Sequence, residues 1–359
     1  ALNTLDSTRP YVTSSPRYGR GNPKSQFEGD SHYWGVWHDA EPFENYEKKV
    51  PRFMSEFGFQ SFPHMKTIRM FAGEEEPSVE SEIMLSHQKH PRGNELIREY
   101  MSEYYKIPDD FEDFVYLSQV MQAEGIRIGI EAHRRAKPYC GGTLYWQLND
   151  CWPVISWSSI DYYGQYKALY YFVKKAYKPY LISIQEENDS LFVHIVSDVL
   201  KDEKGILDLT LMNFKGDILD SQQLEIQVKA NISKVYYTYL IDKLIGDHDR
   251  KGIVLHAELL IHDSTSASCL KYFEKGKDLH LHDAKIRFDI KELNSVFEIV
   301  ISSENLIKNL YLETADKGNF SDNFFDLLPG EEKSVFFIPT SEDTNLADLQ
   351  FFSLNTVLM

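Results

Sequence analysis

The chain has 359 residues, 26% of them charged, and a formal net charge of −17. That length holds two or three domains. The surplus of carboxylates argues against nucleic acid and anionic membrane surfaces as partners. No apolar run is long enough to cross a bilayer as a helix. Three cysteines, Cys140, Cys151 and Cys269, make no disulfide framework and no zinc-ligand spacing, so no metal is expected.

The N-terminal part mixes helix and strand. Pro10 to Pro16 reads as a short strand stopped by proline, followed by a Gly/Pro/Asn-rich loop from Arg17 to Asp30. Phe43 to Val50 reads as a short helix leading into a strand at Phe53. Helical patterns follow over Glu76–Met84, Gly93–Tyr105 and Asp110–Arg135, the last with Phe111, Phe114, Val115, Val120 and Met121 at core spacing. Asp109 and Asp110 suit its N-terminus. Gly141 to Leu148 reads as a strand and Gly164 to Lys178 as a helix that stops before Pro179. Strands alternating with helices imply parallel βα units.

From Pro179 onward the hydrophobic period becomes two. Leu191–Val196, Leu207/Leu209/Leu211, Leu224/Ile226/Val228 and Ile253–Ile261 read as strands of an antiparallel β-sandwich. A second, smaller set runs through Ile286–Ile290, Phe297–Ile301, Leu310–Leu312 and Val335–Ile338, with a turn at Pro329-Gly330-Glu331-Glu332. All five tryptophans lie before residue 160. That asymmetry gives the two halves different work. The expected units are 1–178, 179–278 and 279–359.

Chemistry-bearing residues gather in four places: Ser14-Ser15-Pro16, the loop from Asp30 to His38, Glu56 with Gln60, and Trp146 to Pro153. In a parallel βα array the C-terminal strand ends share one face, where sites form. Glu56 and Trp146, 90 residues apart, are therefore expected to meet in space. Glu56 lies among Phe53, Met54, Phe57 and Phe59, an awkward place for an ionised carboxylate. Either it is half solvated and paired with a neighbour such as Arg52, or it is catalytic. Trp146 beside Gln147, Asn149 and Asp150 suits a sugar, whose C–H faces stack on rings while its hydroxyls bond amides and carboxylates. Trp152 and Trp157 read as core packing. His87 and His90 read as loop or helix-cap residues rather than ligands.

The stretches SEFGFQSFP (Ser55–Pro63) and GGTLYWQLNDCWPVISWSSIDYYGQYKALYY (Gly141–Tyr171), with SSP at Ser14–Pro16 and GDSHYWGVWH at Gly29–His38, resemble the β-mannosidases of glycoside hydrolase family 2. The resemblance is strong over the first ~180 residues. It implies the last part of a (β/α)8 TIM barrel, about strands six to eight, followed by two immunoglobulin-like β-sandwiches. It implies a retaining exo-β-mannosidase acting on β-mannoside oligosaccharides, with no cofactor and with Glu56 as nucleophile. It places Trp146 on the −1 sugar site and brings Trp34 and His38 into play beside it, with Asn149 and Asp150 as further substrate contacts. His38, Arg52 or a hydroxyl is expected to keep Glu56 ionised.

A retaining glycosidase needs a second carboxylate about 5–5.5 Å from the first. In the resembled family that acid/base glutamate follows an asparagine. No Asn-Glu pair precedes Glu56, and Asn94-Glu95 lies ahead of a helical run, where it reads as a cap. The expectation is a fragment that lacks its N-terminal domains and the acid/base half of its site, inactive alone. No signal peptide is visible, and the expected setting is the periplasm or another compartment of glycan breakdown. Two other readings are another family 2 exo-β-glycosidase and a non-catalytic carbohydrate-binding or structural sandwich protein.

Overall fold

The computed structural model describes residues 2–74, 76–283, 285–341 and 344–357. Three extended segments run side by side in the N-terminal part. β1 (Ser31–His32) pairs in parallel with β2 (Met54–Glu56), His32 standing opposite Glu56. On the other flank of β2, residues 141–146 also run parallel, with Thr143 opposite Met54. Backbone bonds tie this segment on: Gly141 N–H to Arg52 O at 2.8 Å, Leu144 N–H to Met54 O at 2.8 Å and Trp146 N–H to Phe57 O at 2.8 Å. The expected strand at 141–148 thus pairs as far as Trp146, after which Gln147 N–H turns to Trp157 O. Helices fill the intervals: Gly35–His38 and Asn45–Lys48 before β2, four more between β2 and residue 141, and Ala168–Ala176 after the third segment.

Two expected elements differ. Pro10–Pro16 is largely exposed and irregular, since its two prolines lack N–H donors and, among the described residues, no strand pairs with it. The helix expected over Glu76–Met84 forms only at Glu82–Ser86. Pro77 disfavours helical backbone in the residue before it, and Ser81 closes a turn by donating from its hydroxyl to Ser78 O.

The helix Phe111–Arg135 is the spine of this part. Asp110 caps it, accepting from Glu112 N–H and Asp113 N–H at 2.8 and 3.0 Å. Acidic residues in its first turn and Arg134 and Arg135 in its last oppose the helix dipole favourably. Phe114, Val115, Val120 and Met121 are buried as expected.

The first sandwich contains β3 (Tyr180–Glu187), β4 (Ser190–Ser197), β5 (Glu203–Asn213), β6 (Ile218–Val228), β7 (Ser233–Leu240), β8 (Ile253–Ile261) and β9 (Ser264–Tyr272). Its sheets are ordered β3-β4-β7 and β6-β5-β8-β9. Leu207, Leu209 and Leu211 point inward against Leu191, Val193 and Ile195. The second contains β10 (Arg287–Leu293), β11 (Val296–Ser302), β12 (Ile307–Glu313), β13 (Gly318–Phe320), β14 (Phe325–Leu327), β15 (Glu332–Pro339) and β16 (Gln350–Phe352). Its sheets are ordered β10-β11-β15-β13 and β14-β12-β16.

The second sandwich grips the N-terminal part. Tyr116 donates its hydroxyl to Asn309 O at 2.7 Å, and His64 Nδ1 lies 3.0 Å from the Tyr311 hydroxyl. Buried Lys308 reaches Glu124 of the long helix at 3.4 Å and Asp326 at 3.7 Å. Its ammonium sits 4.3 Å over the ring of Tyr272 from the first sandwich. One lysine therefore touches all three parts.

Candidate active site

Glu56 ends β2 between buried Met54 and Phe57, and its side chain keeps 27% of its exposure. One donor and one imidazole nitrogen approach the same oxygen. Trp34 Nε1–H reaches Oε2 at 3.3 Å, and His32 Nδ1 lies 3.3 Å from the same atom. Among the described residues no hydrogen bond reaches Oε1. A carboxylate held at one oxygen and open at the other is oriented for attack through the open one.

Behind His32 stands a second layer. Ser15 Oγ lies 3.3 Å from His32 Nε2 and donates to Asp30 Oδ2 at 2.6 Å. Asp30 also accepts from Ser55 Oγ at 2.7 Å and from Arg17 N–H at 2.9 Å. Burial alone would raise the Asp30 carboxyl; the bonds from Ser15, Ser55 and Arg17 outweigh it and hold the group below its ordinary range. The loop Ser14–Pro16 thus joins the site as a brace.

The wall beside Glu56 is aromatic. A Cβ on Gly58 would stand 2.5 Å from Trp146 O, 3.0 Å from Trp157 and 3.3 Å from Trp34. Only glycine lets these three tryptophans close round the residue two positions after Glu56. Trp34 packs edge-on against Trp157, centroids 6.2 Å apart, and Trp157 meets Trp37 at 5.9 Å. Trp146 remains 41% exposed, free to take a ligand face. Glu56 and Trp146 do lie together.

Several expected contacts do not form. Arg52 is exposed and stacks over Tyr139 at 4.9 Å, so it does not pair with Glu56. His38 is exposed and stacks on Trp34 and His90 at 5.5 and 5.4 Å, with no bond to Glu56. Partial desolvation, then the charges of His90 and Arg20, lower its pKa. His32, not His38, meets the carboxylate. Asn149 is exposed on the loop after Trp146. Asp150 turns inward: it pairs with Lys89 at 3.1 Å and accepts from Ser156 and Ser158 hydroxyls at 2.7 and 2.5 Å. A buried carboxylate takes whatever partners satisfy it, and Asp150 is spent on holding its loop.

Trp152, expected in the core, is exposed beside His87, whereas Trp157 packs against the core as expected and its ring also meets Trp34. His32 is the residue that sequence reasoning passed over. His32 sat in a quoted motif, and its position opposite Glu56 in a parallel pair was the available signal. His87 and His90 point to different partners, Pro153 O and the ring of Trp37. Among the described residues no His/Cys/Asp/Glu group is arranged to hold a metal.

Residues 189–278 match the Mannosidase Ig/CBM-like domain family and residues 281–356 an Ig-fold domain family. Beta-mannosidase B of Emericella nidulans is 31% identical over 328 residues, which cover 86% of this chain and 39% of the relative. The beta-mannosidase of Capra hircus is 30% identical over 93% of this chain and 41% of its own length. The crystal structure of beta-D-mannosidase from Dictyoglomus thermophilum is 33% identical and superposes with a TM-score of 0.88 over 98% of this chain and 43% of that one.

The chain matches a C-terminal portion of the β-mannosidases of glycoside hydrolase family 2.

It spans about two fifths of the length of the curated relatives it matches. The two sandwiches are Ig folds. An exo-chitosanase of Amycolatopsis orientalis shares the fold at 15% identity, with a TM-score of 0.67.

Proposed function

We propose that this chain carries the nucleophile half of a retaining exo-β-mannosidase, with Glu56 as the attacking carboxylate. The observation that carries the reading is the Glu56 carboxylate, bonded at Oε2 by Trp34 with His32 Nδ1 3.3 Å away, open at Oε1, beside the exposed face of Trp146. The three parallel segments with their flanking helices fit the end of a (β/α)8 barrel, with residues 1–178 as that part and 179–278 and 279–359 as the sandwiches. Barrel sites lie at the C-terminal ends of such strands.

The chemistry follows the two-carboxylate scheme. An Oε1 lone pair of Glu56 forms a bond to the anomeric carbon of a terminal β-mannose. The glycosidic C–O bond breaks, and its electron pair leaves on the aglycone oxygen, which takes a proton from the second carboxylic acid. Water then attacks the same carbon, gives its proton back to that acid/base residue and frees Glu56. Trp146 walls the −1 site, and Trp34 positions the nucleophile. Asn94-Glu95 is no candidate for the acid: Asn94 is buried on Gln88 and Val79 O, and Glu95 is exposed and paired with Arg92. In this reading the acid lies on an Asn-Glu pair of a preceding segment of the same polypeptide, and residues 1–359 alone do not turn over substrate.

The test uses the complete polypeptide and an aryl β-mannoside. Glu56→Ala should lower turnover by several orders of magnitude, and azide should restore part of it as a mannosyl azide of inverted configuration. Near-normal turnover in that variant sinks the assignment.

A further inference from the structure

Lys167 has no exposed surface, a rare place for a lysine. The carboxylates near it are taken. Asp150 pairs with Lys89 and with the hydroxyls of Ser156 and Ser158. Asp161 accepts from Thr67 Oγ1 at 2.5 Å and from the N–H groups of Tyr163 and Gln165 at 3.0 and 2.9 Å. The Lys167 nitrogen donates instead to two backbone carbonyls, Ser61 O at 3.2 Å and Ser156 O at 3.4 Å. Burial pushes its pKa down to about 8, yet charged or neutral a lysine nitrogen has hydrogens for both oxygens. Ser61 and Ser156 also bond each other: Ser61 N–H donates to Ser156 O at 3.0 Å and Ser156 N–H to Ser61 O at 3.3 Å. This is the join between the segment that follows Glu56 and the loop that follows Trp146. The backbone of Lys167 reaches further along that loop. Its N–H donates to Ser159 O at 3.0 Å, and Ser159 N–H donates to Gln147 O at 3.2 Å. Gln147 N–H in turn meets Trp157 O at 3.2 Å. One residue thus grips the loop at Ser156 and at Ser159, on both sides of the carbonyl that anchors the residue after Trp146. With 41% of Trp146 in solvent, its aim depends on that backbone.

We propose that Lys167 is a positioning residue of the sugar site: bound to Ser61 O and Ser156 O, it holds the loop after Trp146 against the segment after Glu56 and so sets the face that Trp146 offers to the terminal mannose. The proposal rests on Trp146 walling that site. A lysine that served stability alone would leave substrate affinity untouched in whatever enzyme remained folded. A lysine that aims Trp146 changes that affinity when it is lost.

The experiment measures hydrolysis of p-nitrophenyl β-mannoside by the complete polypeptide. Lys167→Met keeps an unbranched apolar stem and removes the donor. Its KM should rise about 2- to 10-fold, the range for a lost aromatic contact. Its kcat should change little, the pattern of lost binding rather than lost chemistry. Trp146→Ala should raise KM as well, and Lys167→Met should add nothing in the Trp146→Ala background, because the ring it acts through is gone. Lys167→Gln, whose shorter amide keeps a donor, should give a smaller rise, and it serves should Lys167→Met fail to fold. Unchanged KM in either folded Lys167 variant, or rises that multiply in the double variant, overturns the proposal. Unchanged KM in Trp146→Ala would overturn the sugar-wall reading and the proposal with it, so the two failures are distinct.

Discussion

The carbonyl oxygen of Trp146 stands 2.5 Å from the place a Cβ on Gly58 would occupy. The obstacle is backbone, which cannot swing aside. Gly58→Ala should therefore push the 141–146 segment off β2, at about 1–3 kcal/mol, the usual cost of overpacking. Urea denaturation should show that loss, and tryptophan fluorescence should shift because Trp34, Trp146 and Trp157 surround this point. An unchanged midpoint and spectrum would mean that the segment yields freely.

Acid should weaken the fold from near neutrality downward. Burial, then the charge of Arg135, push His133 down from 6.5 to about 3. Its Nδ1 meets Thr143 Oγ1 at 2.8 Å, while Nε2 is buried without a partner, so a second proton has nowhere to bond. Between pH 6.5 and about 3 the unfolded chain binds the proton and the folded chain does not. The stabilisation is full above 6.5 and is lost as pH falls toward 3, at no more than about 1.4 kcal/mol per pH unit. Glu124 adds to this lower down: burial opposes ionisation, but Arg127 and Lys308 hold it at about 2, so its share is lost between 4.5 and 2. Denaturation midpoints measured from pH 6.5 down to 4.5 report His133 together with the other buried histidines, chiefly His194, which burial pushes down to about 4, and His133→Phe should reduce the slope of that interval. The same slope in the variant would exclude His133 as its source.

Lys308→Met should cost about 3 kcal/mol, the scale for removing one partner of a buried ion pair. Glu124 keeps Arg127, but Asp326 loses its only cation and is left with the Tyr272 hydroxyl and the Asn309 N–H, among the described residues. Because Lys308 bridges three parts, the variant should also unfold less cooperatively, with tyrosine and tryptophan signals separating. A single coincident transition at the wild-type midpoint would contradict this.

Asp150 and Asn149 are neighbours with opposite duties. Asp150→Ala strands Lys89 and two serine hydroxyls and should lose about 3 kcal/mol. Asn149→Ala, at an exposed position, should stay within about 0.5 kcal/mol. Parallel chemical denaturation of the two variants checks the contrast.

Much of this was legible in the sequence, for physical reasons. Leu207, Leu209 and Leu211 announce a strand because a sheet with one buried face sorts residues by alternation. β9 was missed because Ser264-Thr265-Ser266 carries no such alternation, although its backbone pairs with β8. Glu56 and Trp146 could be brought together from topology alone. The partner of Glu56 could not: His32 and His38 are both histidines near Trp34, and only the parallel register of β1 on β2 decides which faces the carboxylate. Asp150 misled because an acid beside Trp146 reads as a ligand group, whereas its bonds to Lys89, Ser156 and Ser158 come from loop closure, which leaves no periodic trace.

The helix Phe111–Arg135 joins distant events in one rigid body. Tyr116 and Glu124 near its middle are held by the last sandwich, Gly129 lies under the ring of Phe57, and His133 bonds the strand that ends in Trp146. Damage to the C-terminal sandwich therefore need not touch a sugar to impair one. A defect at Asn309 or Lys308 would tilt this axle and arrive at Glu56 as misalignment, so that a lesion far along the chain would present as a failing nucleophile rather than as a failing domain.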